Sequence, residues 1–405
     1  MDISEFRTLM HDYGRIVNSR SVEFYALGSW QNLNIDDLIS YVNSPHSNRK
    51  DAPDSLKKLK DKLGRLEYRR NCVQSPIELW EDSIDSLVDI GSGVGHLSRM
   101  ISLHNKLTVM AVEGNHQFTV AANCLDEKLL QDSAKLCTQK DINLDATPVR
   151  LTDFVTEDMA QKVDDFALNS AILVGLHCCG DFSSTILKVF VNSRKARALV
   201  LLGCCYHKEF QCFQFLNPDN KSILKSEDQA NSTVFPLSRK WHGCELDYVS
   251  REAACHNNEN MKKRFLADNT DISRYARAQL EKWIWSVSDS LEDRNIGMCS
   301  VKCIEQETTF EEYIRKAMAK RGSHLLEKVL KAVPESELSS LVSSFKSSQF
   351  DAFDVIRLMF APAIESAIID DRIAFLNENG IHAKCVPLFD PTISPRNLAI
   401  VAYKD

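Results

Sequence analysis

Residues 87–95 read Leu-Val-Asp-Ile-Gly-Ser-Gly-Val-Gly, and few folds can accommodate such a run. The apolar Leu87, Val88 and Ile90 predict a buried strand, with Asp89 near its end. Gly91, Gly93 and Gly95 predict a turn without Cβ atoms, and Leu97, Met100 and Ile101 begin a helical repeat. Strand, glycine turn and helix make the first half of a βαβ unit that binds a nucleotide-like cofactor. Glycine admits left-handed torsions and lets the backbone approach a ligand closely. The free N–H groups of the following helix add roughly half a positive charge at that spot.

The pattern continues as alternating strands and helices. Strands are predicted at 86–90, 107–112, 148–151, 171–176 and 198–202, with helices at 96–104, 115–138 and 183–192. Their Val, Leu and Ile runs do not alternate with polar residues, as a parallel sheet covered on both faces requires. After Cys205 this rhythm stops. Helices are predicted at 273–290, from the Thr309–Glu312 capping box toward Gly322, and over 351–379, kinked at Pro362 and capped by Gly380. Strand character returns at 383–388 and 398–403, a closing antiparallel hairpin. The expected fold is α/β: a mostly parallel Rossmann-like sheet with a C-terminal antiparallel hairpin, an N-terminal helical segment and a large helical insertion. The expected domains are 1–70, then 71–205 plus 376–405 as the sheet domain, with 206–375 inserted as a substrate or lid region.

The N-terminal segment holds two further expectations. Asn34 caps a short helix through Ile35, Leu38, Ile39 and Val42. Residues 49–70 place nine lysines and arginines against four acids in a chain whose net charge is −7. That segment reads either as a solvated amphipathic helix, with Leu56, Leu59, Leu63 and Leu66 facing a core, or as a phosphate-contacting face for RNA. The overall charge does not suggest wholesale nucleic-acid binding. No apolar run is long enough to span a bilayer. The chain opens without a secretory leader pattern, so its 13 cysteines read as reduced thiols of a cytoplasmic or nuclear protein.

The glycine spacing discriminates among cofactors. A dinucleotide fingerprint, Gly-x-Gly-x-x-Gly/Ala, requires its third small residue where His96 stands. The observed Asp-x-Gly-x-Gly-x-Gly, Asp89 to Gly95, instead resembles the first motif of class I S-adenosylmethionine-dependent methyltransferases. That resemblance implies that Asp89 and the turn of Gly91, Gly93 and Gly95 hold the methionine part of the cofactor. Glu113, 22 residues beyond Gly91, stands where an acid accepts both ribose hydroxyls. Asp153 follows the third strand, where the superfamily often binds the adenine amino group.

Two loops should face one pocket: Gly175-Leu176-His177-Cys178-Cys179-Gly180-Asp181 and Gly203-Cys204-Cys205-Tyr206-His207-Lys208. Both follow the carboxyl ends of strands, where ligands bind in open α/β sheets. His177 reads as a general base, with Tyr206 beside the acceptor, or as a structural residue bonding the neighbouring loop or the cofactor carboxylate. Cys178 reads as a small packing residue beside the cofactor, and either it or Cys205 as a less favoured nucleophile. Consecutive cysteines chelate one ion awkwardly, so no metal is expected at either this cluster or at His242, Cys244, Cys255 and His256.

Together with Val88-Asp89-Ile90-Gly91-Ser92-Gly93 and the tail Pro387-Leu388-Phe389-Asp390-Pro391-Thr392-Ile393-Ser394-Pro395-Arg396-Asn397, these loops resemble the methyltransferase-like protein 25 family. Some of its members are labelled ribosomal RNA adenine dimethylase domain-containing. Three positions where that family often has lysine differ: Ser75-Pro76-Ile77-Glu78 stands for a Ser-Pro-Lys-Lys stretch, and Val94 for a further lysine. Amino-directed base methyltransferases use an Asn/Asp/Ser-Pro-Pro-aromatic loop after the fourth strand. His177-Cys178-Cys179-Gly180 stands there instead, so adenine dimethylation is not expected. The resemblance implies in-line methyl transfer to RNA, with a protein acceptor as the alternative. An inactive cofactor-binding scaffold is a reading from a different class. The sequence leaves the acceptor atom and the oligomeric state open.

Overall fold

The computed structural model describes residues 1–19, 41, 52–70, 84–104, 107–136, 147–208, 235–256, 272–290, 293, 301, 308–319, 322–339, 348–394 and 396–404. The helix expected through Ile35 to Val42 lies outside the described residues, apart from Tyr41. The chain divides into two compact units, Met1 with Glu67–Leu246 and Ile364–Asp405, and Asp2–Leu66 with Asp247–Ala363.

The first unit is built on a seven-stranded sheet. Its elements begin with β1 (Ser86–Ile90), a helix at His96–His104, β2 (Thr108–Glu113), a helix at His116–Leu136 and β3 (Val149–Thr152). They continue through a helix at Met159–Phe166, β4 (Ala171–Cys179), a helix at Asp181–Asn192 and β5 (Ala196–Cys204), and close with β6 (His382–Pro387) and β7 (Leu398–Tyr403). The order is β3-β2-β1-β4-β5-β7-β6. The first five strands pair in parallel, and β7 pairs antiparallel with both β5 and β6. This is the Rossmann-like arrangement of class I methyltransferases. The order reverses between β1 and β4, the switch point at which open α/β sheets leave a crevice for ligands.

Every residue of β1 is buried. Val88, Ile90, Met110, Val112, Leu173 and Leu199 belong to one core, with Ile186, Leu187 and Phe190 of the helix after β4. Leu87, Val109, Ile172 and Ala198 form a second cluster with Leu97 and Ile101. A strand apolar at successive positions supplies both, which explains its lack of alternation.

The unit is larger than the sequence suggests at both joins. Tyr68 donates its backbone N–H to Ser366 Oγ (2.9 Å). Residues 237–240 donate four backbone N–H groups to the carboxylates of Asp371 and Glu378, at 2.7–3.0 Å. Ile369, Ile373 and Leu376 pack into the sheet core. The expected boundaries at 205 and 376 therefore move to Leu246 and Ile364. The long helix Ser348–Glu378 continues through Pro362, and the division between the units falls beside that proline. Gly380 (φ 74) ends it, with Ile381 donating back to the Leu376 carbonyl at 3.0 Å.

The second unit is helical among the described residues. Thr309 and Glu312 form the expected capping box, opening a helix at Phe310–Met318. That helix ends before Gly322, which instead precedes a short 3₁₀ turn at Ser323–Leu325. Leu280, Ile284, Phe310, Ile314, Met318 and Val329 make its core. The basic segment forms a helix at Asp54–Leu66 with Leu59, Leu63 and Leu66 buried. Arg65 of that helix is bound to Glu5 at 2.5 Å. Among the described residues, no helix is long and apolar enough to cross a membrane.

Candidate active site

The turn after β1 is held by its own backbone. Gly91, Gly93 and Gly95 all have left-handed φ (76°, 56° and 70°). The N–H groups of Gly91 and Ser92 donate to the Val112 carbonyl at 2.9 and 3.0 Å, fastening the turn to β2. Glu113, the last residue of β2, accepts from the Gly93 N–H and the Asn115 N–H, both at 2.8 Å. Two of its roughly four acceptor positions remain for another donor.

A cavity of ≈ 550 Å³ lies here, bounded by Gly91, Glu113, Asp153, Phe154, His177 and Phe182, with Cys179 also on its wall. That volume is within the usual range for small-molecule sites, ~300–1,000 Å³. Acids at Glu113 and Asp153 and an apolar wall of Phe154, Val155 and Phe182 suit a nucleoside. The residues present thus fit S-adenosylmethionine. Asp153 is also paired with Lys162. Phe154 and Phe182 were not singled out from the sequence; each directly follows a residue or motif that was.

The other expected cofactor residues stand behind this wall. Asp89 is buried and accepts from Ser98 Oγ at 2.5 Å; burial pushes its carboxyl up, partly offset by that bond. It therefore braces the strand–turn–helix junction. At Gly95 a Cβ would come within 2.2 Å of Arg150 Nη1. Arg150 and Arg99 both bind Asp126 beside it, at 2.6 and 2.5 Å. The bare backbone at Gly95 makes room for an arginine of the fold. Cys178 is fully buried, its sulfur 2.7 Å from where a Gly175 Cβ would sit, and burial pushes its thiol up.

On the acceptor side the register between β4 and β5 shifts. Gly175 pairs with Leu201 and Cys178 with Gly203, so Leu176 and His177 stand opposite Leu202 alone. Such a bulge re-aims a side chain and is over-represented at active sites. His177 takes a left-handed φ of 57°, rare for a residue with a Cβ. It borders the cavity above and also a second one of ≈ 460 Å³, shared with Leu176, Leu202, Phe389, Ile393 and Arg396. The Phe389–Arg396 wall was legible in the sequence only as the linker of a hairpin and as part of the family tail.

Tyr206 borders neither cavity. It is buried, and its hydroxyl donates to Glu365 Oε1 at 3.0 Å. Two guanidiniums lie over its ring, Arg372 Cζ at 5.2 Å and Arg396 Cζ at 5.7 Å from the centroid. Glu365, itself buried, also binds Arg396 at 2.6 Å and Arg70. Arg70, counted above among the cations of the basic segment, is therefore a half-buried partner of that carboxylate. Tyr206 is thus held inside this network, whereas the sequence expectation put it beside the acceptor. Arg372 reaches the Gly180 carbonyl at 3.3 Å and passes so close to β5 that a Cβ at Gly203 would meet its Nη1 at 2.7 Å.

The two cysteine loops do meet. Cys179 and Cys204 sulfurs are 3.3 Å apart, and with Cys205 all three lie within 4.8 Å of one another. Hydrogen bonding from Cys204, with help from Cys205, Lys208 and His177, holds the Cys179 thiol down at about 6 despite its burial. The Cys204 thiol is pushed up, chiefly by that same bond and by burial. Among the described residues this is the one group of three or more His, Cys, Asp or Glu side chains close enough to hold an ion. The set of His242, Cys244, Cys255 and His256 is not such a group.

A family profile described as a methyltransferase domain matches residues 62–210, the span from before β1 to the second cysteine loop. The chain is also similar to probable methyltransferase-like protein 25 of Homo sapiens, 28% identical over 267 residues. Its similarity to the Mus musculus protein of that name is 27% over 271 residues. Both matches cover 63% of this chain, in line with the resemblance read from the motifs. The chain spans about two fifths of the length of the curated relatives it matches, 40% and 41%.

Proposed function

We propose that this protein is an S-adenosylmethionine-dependent methyltransferase that acts on RNA, at an atom other than the exocyclic amine of adenine. One observation carries the reading: His177, forced outward by the bulge, borders both the glycine-turn cavity and the second cavity. A donor in the first and an acceptor in the second would meet at that side chain.

When bound, S-adenosylmethionine supplies an electrophilic methyl group on its sulfonium. The chain's own residues do the rest. Glu113 offers its two free acceptor positions to ribose hydroxyls, while its bonds to Gly93 and Asn115 fix its carboxylate. Asp153 and Phe154 receive the base. His177 accepts the acceptor's proton as the attack proceeds, a role worth ~10²–10⁴-fold where it operates. Holding donor and acceptor in line contributes more than any proton transfer in such a displacement. The loop after β4 has no Pro-Pro turn to present carbonyl acceptors to an exocyclic amine, which argues against adenine dimethylation. Exposed Lys57, Lys58, Lys60 and Lys62 on the Asp54–Leu66 helix support an RNA acceptor.

The apolar side chains of Leu176, Leu202, Leu388 and Ile393 around the second cavity favour a protein acceptor as the second reading. The test is incubation of the purified protein with isotope-labelled S-adenosylmethionine and fractionated RNA and protein from cells lacking it. Label in RNA, absent from dimethyladenosine, is the expected outcome. Label in protein moves the acceptor to the second reading. Stoichiometric cofactor binding without transfer to either fraction leaves a scaffold.

A further inference from the structure

We infer that Cys179, Cys204 and Cys205 form a binding site for a thiophilic divalent cation of the zinc class, with three thiolate ligands and a fourth position left for an exogenous donor. This inference is independent of the methyl-transfer reading.

Consecutive cysteines in a strand cannot share an ion, because successive side chains leave opposite faces. The backbone here removes that obstacle. β5 ends at Cys204, and Cys205 adopts a left-handed φ of 45°. That torsion turns the chain out of strand geometry and brings both sulfurs to one side. On the facing loop the alternation persists and only one sulfur is offered. Cys178 points into the core against Gly175, and Cys179 points the other way, to Cys204. The ligand set is thus one cysteine from the first pair and both from the second.

The spacing suits a metal. Zinc–thiolate bonds of ~2.3 Å at tetrahedral angles set sulfurs on the order of 3.8 Å apart. The observed separations, 3.3 Å for Cys179–Cys204 and none above 4.8 Å, bracket that value. The frame is rigid before any ion arrives. Gly180 donates to the Cys204 carbonyl at 3.0 Å, and Lys208 donates to the Cys205 carbonyl at 2.9 Å. The loops cross so tightly that a Cβ at Gly180 would lie 1.6 Å from the Lys208 carbonyl oxygen.

Left-handed backbone at a non-glycine residue costs on the order of 1–2 kcal/mol, so Cys205 holds its place against a local penalty. Thiols hydrogen-bond only weakly to one another. A cation would replace those contacts with three metal–thiolate bonds, any protons still held by the sulfurs leaving to solvent. Three protein ligands with a vacant fourth position is the pattern of reactive rather than closed zinc sites. Cys179 also borders the glycine-turn cavity.

The test is metal analysis of the full chain purified without chelator, followed by titration with Zn²⁺ and, separately, Co²⁺. Near-stoichiometric Zn²⁺, and a Co²⁺ spectrum with thiolate charge-transfer and tetrahedral bands, are expected. Cys205→Gly removes a ligand while relieving the backbone, so it should fold at least as well and bind Zn²⁺ about 100-fold or more weakly. Cys179→Ser should do the same, and Cys124→Ser, at an exposed cysteine, should leave binding unchanged. Trace metal after loading, unaltered affinity in both ligand variants, or a Cys179–Cys204 disulfide trapped in freshly lysed cells would overturn the site.

Discussion

The donor cavity draws its walls from residues 91–182, and the hydrogen bond that fixes Glu113 to the turn spans only 20 residues. The acceptor cavity takes one wall from Leu176, His177 and Leu202 and the other from residues 388–396, outside the methyltransferase domain match. Behind that second wall, Glu365 gathers Arg70, Tyr206 and Arg396 from three distant stretches of chain. The donor side is thus a local motif, its glycine turn fixed by its own backbone and its acids Glu113 and Asp153 at or just past the ends of β2 and β3. The acceptor side is an assembled surface, held by buried charge. A site of this kind can keep one donor while its acceptor changes with residues that no local motif constrains.

Substitutions can pull the two sides apart. His177→Ala, at the junction, should leave donor binding within about threefold and slow transfer by ~10²–10⁴-fold, roughly 3–5 kcal/mol in the barrier. Single-turnover rates beside calorimetric cofactor affinity read both. If transfer survived intact, His177 would be only structural. His177→Gly should lose the same chemistry yet gain about 1 kcal/mol of stability by relieving the left-handed torsion. Glu365→Ala takes the carboxylate from one buried guanidinium, Arg396, and one half-buried one, Arg70, and should cost about 3–5 kcal/mol in denaturant unfolding. A variant as stable as the parent would show that the network is not what holds the acceptor wall.

Glu113→Gln addresses the donor side alone. It should weaken S-adenosylmethionine binding about 10–100-fold, as hydrogen bonds to a charged group are worth ~1.5–3 kcal/mol. The acceptor wall should be untouched, so a matching loss of stability would deny the separation drawn above. The smallest effect belongs to the helical unit and serves as a control. There the His256 ring, with Arg357, holds the half-buried Glu252 carboxyl down at about 2, from its ordinary 4.5. The stabilisation is complete above pH 4.5 and is lost as pH falls toward 2, because the unfolded chain takes up the proton first. After allowance for solvent screening it is worth on the order of 1 kcal/mol. Glu252→Gln should flatten that acid limb and leave cofactor affinity unchanged.

How much of this was legible in the sequence follows the same division. Strands β1 to β5 lie within three residues of their expected ends, because unbroken Val, Leu and Ile runs mark a sheet covered on both faces. Glu113, Asp153 and the glycine turn were visible because the chemistry sits at fixed places on successive strands. The attachment of residues 237–240 was not. It consists of backbone N–H groups meeting Asp371 and Glu378, and backbone donors have no sequence signature. Tyr206 looked like an acceptor contact by its loop position, yet three charged partners from remote segments hold it inside. The convergence of Cys179, Cys204 and Cys205 depends on one torsion at Cys205, where side-chain periodicity gives the opposite answer.

The wide sequence separations around Glu365 also bear on the order in which the protein forms. Its ion pair with Arg70 closes a loop of 295 residues, against 20 for the Gly93–Glu113 bond. Loop-closure entropy grows with the logarithm of length, so the longer closure costs roughly 2 kcal/mol more and returns nothing until both ends, including the long helix that carries Glu365, are in place. Contacts of such range form late and slow the approach to the native state. The glycine turn, β2 and Glu113 can come together while the long helix is still searching. On the folding route there is therefore room for a species that already holds the methyl donor but has no surface against which to spend it.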